Sequence, residues 1–158
     1  GTVTYGGQTY PTDGSACMLV TTPDKADELS RDKKITIKIR GFGMARAENG
    51  YMPEAPVPAA QRALASAGLS FDDLDAVKTH NPFAVNDAYF IKQTGYDSKK
   101  MNNYGCTLIW GHPQGPMGVR GIIELIEELV ILGGGIGLFT GCAAGDTGMS
   151  VVIEVGNK

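Results

Sequence analysis

The chain has 158 residues, 42% of them hydrophobic and 20% charged, with a formal net charge of −3. This is the ordinary globular range, long enough for one substantial core, so a single domain is expected. The slight negative charge excludes a broad cationic face for a nucleic-acid backbone or an anionic membrane, although one local Lys or Arg can still hold a small phosphorylated ligand.

The sequence opens at Gly1 without Met and runs at once into the β-prone Thr2-Val3-Thr4-Tyr5, the look of a chain cut from something longer. The apolar run 16–21 then predicts a strand, and Thr22-Pro23-Asp24-Lys25 gives a capped start to a helix over 23–30. From Lys34 to Phe42 polar and apolar residues alternate, the pattern of a strand with one buried face. Residues 43–55 keep neither period, which predicts a long surface loop of the kind that carries ligand contacts. Val57, Ala60, Leu64 and Ala67 recur at helical spacing, with Gly68 as the stop, and a further helical turn is expected after Ser70.

A short strand over 75–79 delivers His80 to its end, Asn81-Pro82 turns the chain, and a helix covers 84–94. Ligand crevices of open α/β sheets lie at the carboxyl ends of the strands, which places His80 and Asn81 where chemistry can occur. Residues 102–106 are turn-like, and 111–118 are stiffened by two prolines. The helix expected over 118–132 has an apolar stripe so broad that it predicts a largely buried element. Gly133-Gly134-Gly135 ends it, and strands 136–140 and 149–155 flank the small-residue loop 141–148 as an antiparallel pair. Parallel pairing is implied by the helices between the earlier strands. The sum is an α/β fold, a mixed β-sheet covered by helices.

Cys17, Cys106 and Cys142 show neither CxxC nor zinc-type spacing, so no disulfide framework and no metal site is expected, and a reducing, cytoplasmic setting is. No apolar run reaches the roughly 20 residues of a membrane span. Cys142 has Gly and Ala neighbours that let a ligand approach backbone amides, as an oxyanion site requires. Taken alone, the same loop fits a tight hairpin around an inert thiol. His112 stands in a stiff Gly-His-Pro turn, and its unperturbed pKa suits proton transfer, as does that of His80. Each is equally compatible with a structural contact. Together, two histidines and one cysteine in Gly/Pro-rich turns form a candidate constellation for Cys–His chemistry.

The run Gly111-His112-Pro113-Gln114-Gly115-Pro116-Met117-Gly118-Val119-Arg120 resembles the thiolase signature Gly-His-Pro-x-Gly-x-x-Gly-x-Arg. Cys142-Ala143-Ala144-Gly145-Asp146-Thr147-Gly148 resembles the thiolase Cys-x-Gly-Gly-x-x-Gly loop, and His80-Asn81-Pro82-Phe83-Ala84 its Asn-Glu-Ala-Phe or His-Glu-Ala-Phe element. Residues 1–14 resemble a mid-chain thiolase segment, the tail of the preceding half. The resemblance implies a thiolase-like C-terminal domain of an acyl-CoA C-acyltransferase, similar to acetyl-CoA acetyltransferase and active in lipid metabolism. It would act in Claisen condensation or thiolytic cleavage of 3-ketoacyl-CoA. By the same resemblance Cys142 is the acid/base, and His112 activates the nucleophilic thiol and lines a first oxyanion hole in which His80 holds a water. The backbone N–H of Ala144 serves a second hole.

The thiolase nucleophile belongs to an N-terminal half, and neither Cys17 nor Cys106 matches its motif. The chain alone is therefore expected to be inactive. Its implied partners are an acyl-CoA substrate, the N-terminal thiolase half and further copies of the full enzyme in a dimer, with no covalently bound cofactor. Contacts to coenzyme A stay unassigned. Asn81, Pro82, Ala144 and Cys106 depart from the family pattern and bear on substrate choice. A non-catalytic acyl-CoA-binding or scaffold member of the superfamily is the alternative, and a Cys–His hydrolase acylated on Cys142 itself is a third reading.

Overall fold

The computed structural model describes residues 3–157, so Gly1 and Thr2 of the expected N-terminal stretch, and Lys158, lie outside the described residues. Strands β1 (Ile35–Arg46), β2 (Ala76–His80), β3 (Gly135–Ala143) and β4 (Thr147–Asn157) form one sheet in the order β1-β4-β3-β2. β4 is antiparallel to β1 and β3, whereas β2 runs parallel to β3, giving the expected mixed sheet. Around it stand helices α1 (Pro23–Leu29), α2 (Pro56–Ala67), α3 (Ala84–Thr94), α4 (Thr107–Trp110) and α5 (Met117–Ile131). Among the described residues, no helix is long and apolar enough to cross a membrane.

Each face of the sheet has its own core. On one, Val57, Ala60, Ala63 and Leu64 of α2 pack with Phe90 of α3 against Val77, Leu138 and Val152. On the other, Leu125, Ile126 and Leu129 of α5 pack against Ala76, Phe139, Ile153 and Val155. The small inward residues of β1 explain how closely α2 approaches. A Cβ on Gly43 would lie 2.3 Å from the Ala59 carbonyl oxygen and 2.5 Å from the Ala63 nitrogen, both of them helix backbone.

β1 is longer than its sequence pattern predicts, and residues 43–46 belong to it rather than to a loop. A register shift between Ile39 and Gly41 changes the phase of the alternation, so Gly41, Gly43 and Ala45 turn inward to α2 and Phe42 and Met44 turn out. The apolar face expected to be buried is largely open, with Ile37 50% and Phe42 65% exposed. α5 is largely buried as expected, with Glu127 and Ile131 its exposed positions. The strand expected over 16–21 does not form: a strand needs a partner edge, and these residues pair with none of the described ones. Near the C-terminus the strands run longer than expected and the loop between them contracts to 144–146. Cys142, expected in that loop, is instead a strand residue paired with Gly148. The single helical turn of α4 carried no legible periodicity.

A buried ion pair ties the layers together. Lys78 on β2 is 3% exposed, and its ammonium meets the Glu124 carboxylate of α5 and donates to the Gly105 carbonyl at 2.6 Å. Arg120 holds the other Glu124 oxygen at 2.8 Å. A desolvated cation needs such full pairing. The consequence is positional, because β2 ends in His80 and α5 follows the turn that carries His112.

Candidate active site

Three segments meet at the carboxyl ends of the parallel strands. β2 ends in His80, which pairs with Gly141 of β3, and Cys142 is the next residue. A Cβ on Gly141 would lie 2.9 Å from His80 Cβ, so the absence of a side chain there gives the imidazole its space. The third segment is the turn before α5, which presents His112. Extended residues 8–11 link the two histidine turns: Thr9 N–H donates to the Pro82 carbonyl, and the His112 N–H donates to the Tyr10 carbonyl, both at 2.8 Å.

The two imidazoles touch directly, Nε2 to Nε2 at 2.9 Å. Their other nitrogens set the direction of that bond. The Gln114 N–H donates to His112 Nδ1 at 3.1 Å, so in the neutral ring the proton sits on His112 Nε2. His112 Nε2–H then donates to His80 Nε2, and His80 Nδ1–H donates to the Cys142 carbonyl at 3.1 Å. One chain of tautomers satisfies all four ring nitrogens. Gln114 has φ 51°, a left-handed backbone uncommon for a residue with a long side chain, and that turn brings its N–H onto the ring.

Burial pushes His80 down from 6.5 to about 4, the nearby His112 pushes the same way, and the Cys142 carbonyl opposes both. His80 is thus neutral near pH 7. The unfolded chain takes up this proton below about pH 6.5 and the folded chain only near 4, so between those values the unfolded state binds more protons and stability falls on acidification. About 2–3 kcal/mol is expected to be lost between pH 7 and 4 from this group. Asp87 acts in the opposite sense, since burial raises its carboxyl. The urea midpoint of wild type minus that of His80→Asn isolates the histidine. A difference that stays flat across pH 7 to 4 contradicts the assignment.

Cys142 is 5% exposed, and burial pushes its thiol up, against hydrogen bonds from Asn86 and from backbone. The Asn86 amide lies 3.5 Å from Sγ. His80 contacts the carbonyl of the same residue rather than the sulfur. Ala144 begins the hairpin loop and is exposed. A cavity of about 910 Å³ opens on these groups, lined by His80, His112, Cys142 and Ala144, with Met44 and Met52 from the stretch expected to carry ligand contacts. All four candidate residues therefore face one space.

Residues 33–155 match the family model described as the C-terminal domain of thiolase. The chain belongs to the thiolase family. It is 35% identical over 154 residues to an acetyl-CoA acetyltransferase of Chromobacterium violaceum, covering 98% of this chain and 39% of that protein. It is also 35% identical over 157 residues to a 3-ketoacyl-CoA thiolase of Aliivibrio salmonicida, covering 98% and 40%. The human mitochondrial 3-ketoacyl-CoA thiolase, solved in complex with CoA, superimposes with a TM-score of 0.72 at 32% identity, over 75% of this chain and 30% of that one. The chain thus spans about two fifths of the length of these curated thiolases.

Within this thiolase domain, sequence reasoning missed the polar group behind the histidines. Asp87 accepts from Thr79 Oγ1 at 2.6 Å, from Asn81 Nδ2 at 2.5 Å and from Asn102 Nδ2 at 3.2 Å. Residues 79 and 81 flank His80, so one carboxylate clamps it from both sides. Asn81, which the family pattern would fill with Glu, is 1% exposed and leans on that carboxylate. The site keeps a half-buried acid, supplied from the next helix.

Proposed function

We propose that this domain provides the acid/base half of an acyl-CoA C-acyltransferase, exchanging acyl groups between coenzyme A thioesters once the nucleophile-bearing half is present. The observation that carries this reading is the convergence of His80, His112, Cys142 and Ala144 on one cavity at the strand ends. The family membership and the CoA-bound solved relative support the substrate class.

In condensation, an acyl group sits as a thioester on the cysteine of the preceding half. The Cys142 thiolate takes an α-proton from acetyl-CoA: the C–H bond breaks, an S–H bond forms, and the electron pair passes to the enolate. The enolate carbon attacks the acyl carbon, the new carbon–carbon bond closes, and the nucleophilic thiolate leaves and is reprotonated. Cleavage runs these steps backward. The developing negative oxygen needs preorganised donors. Without substrate His112 Nε2–H donates to His80 Nε2; when that bond opens toward the substrate oxygen, His112 Nε2–H is one donor, and the Ala144 N–H serves as another. With the same bond open, the Nε2 lone pair of His80, whose Nδ1–H stays on the Cys142 carbonyl, accepts a hydrogen bond from a water in the first hole.

A Cys–His hydrolase acylated on Cys142 would need an imidazole on the sulfur. The hydrogen bond from His80 goes to the carbonyl instead, so that reading loses its support. The reading includes assembly of the full enzyme as a homo-oligomer and a cytoplasmic setting. The test is CoA-dependent cleavage of acetoacetyl-CoA and longer 3-ketoacyl-CoAs by the full-length protein. Cleavage of at least one is expected and none by the isolated 158-residue domain; a full-length protein inactive on all of them overturns the enzyme reading.

A further inference from the structure

Asn86 lies on α3, outside every motif that drew attention to the site, yet it is 4% exposed and points at the sulfur of Cys142. Its orientation is fixed by its own helix. The Asn86 Oδ1 accepts the N–H of Phe83, the residue that caps α3, at 3.1 Å. With the amide oxygen so occupied, Nδ2 turns to the opposite side, where Cys142 Sγ lies at 3.5 Å. An amide N–H on sulfur suits a thiolate better than a thiol, because the charged acceptor makes the stronger bond. The ionisable side chains on the surrounding segments include Lys78 and His80 on β2, His112 before α5, Asp87, Tyr89 and Lys92 on α3, Asp146 in the β3–β4 turn, and Glu54. Among the described residues the groups that act on the sulfur are hydrogen-bond donors, Asn86 and backbone, and these oppose the cost of burying its charge.

We propose that Asn86 is a further catalytic residue of the site: its amide N–H holds the Cys142 sulfur in line and carries part of the negative charge while the thiol is deprotonated. This rests on Cys142 being the acid/base. When the thiolate takes the α-proton the N–H···S contact weakens as the S–H bond forms, and a neutral amide opposes this protonation of the sulfur less than a cation would. A neutral donor therefore leaves the sulfur basic enough to remove a carbon-bound proton, whereas an ion pair would trap it as thiolate.

The test uses the full-length protein and iodoacetamide, with carbamidomethylation of the Cys142 peptide followed by mass spectrometry from pH 6 to 10. Asn86→Leu removes both amide contacts. Asn86→Asp keeps the oxygen that caps α3 and replaces the N–H beside sulfur with a like charge. The proposal predicts that both variants shift half-maximal alkylation to higher pH. Alkylation near pH 8 should fall about fivefold in Asn86→Leu and further in Asn86→Asp. A role confined to capping predicts the reverse order, with Asn86→Asp close to wild type, and that result overturns the proposal. Alkylation needs no turnover, so this outcome is separable from the enzyme reading. If the predicted order appears while Cys142→Ala stays fully active, the base role of Cys142 fails and the catalytic role of Asn86 falls with it.

Discussion

Cys142→Ala in the full-length protein is expected to lower 3-ketoacyl-CoA cleavage by about 10³-fold, within the range of losing a positioned general acid/base. The substitution removes one sulfur from a site where Cys142 is 5% exposed and paired in β3, so the backbone register with Gly148 has no reason to change. His80 keeps its acceptor, because its partner is the Cys142 carbonyl, which alanine retains. The loss should therefore fall on turnover, with the thermal midpoint moving only slightly. Under the proposed mechanism acylation of a cysteine in the preceding half by acyl-CoA should persist, since the proposal gives that step to His112. Steady-state kinetics beside a single-turnover acylation measurement separates the two.

The second large effect is on the fold. Gly43→Ala is expected to destabilise the domain by about 3 kcal/mol or more, because its Cβ would fall 2.3 Å and 2.5 Å from backbone atoms of α2 that cannot swing aside. Relief requires α2 to lift from β1, and α2 begins at Pro56, whose carbonyl accepts from Thr140 Oγ1 at 3.1 Å. The damage therefore reaches β3 close to the site. Gly118→Ala in the first turn of α5 is the matched control, since nothing lies within 4 Å of its added Cβ. That change should leave stability level or raise it by about 0.5–1 kcal/mol through helix propensity. Thermal unfolding of the two variants side by side checks the contrast, and equal midpoints would contradict the packing account.

Helices α2, α3 and α5, strand β2 and the final antiparallel pair were legible from sequence because local pattern and tertiary environment agree there. Val57, Ala60 and Leu64 repeat at helical spacing and all three are buried. β1 was readable only as far as Phe42. Beyond it, glycines and alanine replace the apolar partners of a normal alternation, and their reason is the approach of α2, a contact that no local window contains. The run 16–21 has a strand's composition, yet pairing is a property of two segments and these residues find no second one among the described residues.

The site divides in the same way. His80, His112 and Cys142 were singled out because each stands in a segment that resembles a thiolase motif, and the structure brings them to one cavity. Their mutual geometry was not legible, since the imidazole pair joins residues 32 apart and its bond direction depends on the Gln114 N–H. Asn86 and Asp87 had only a weak local signal. Asn86 stands three residues after the N-cap of α3, where a polar side chain reads as a cap, and its second contact, with Cys142, is 56 residues away.

Proton transfer at the α-carbon is the step that the proposed function assigns most narrowly to this chain. Deuterium exchange from solvent into the methyl group of acetyl-CoA reads it directly in the full-length protein, without carbon–carbon bond formation. Wild type should exchange, and Cys142→Ala should lose exchange by about 10²- to 10⁴-fold while still accepting an acyl group from acyl-CoA. Exchange that continues at the wild-type rate in Cys142→Ala would contradict the assignment of Cys142 as the acid/base.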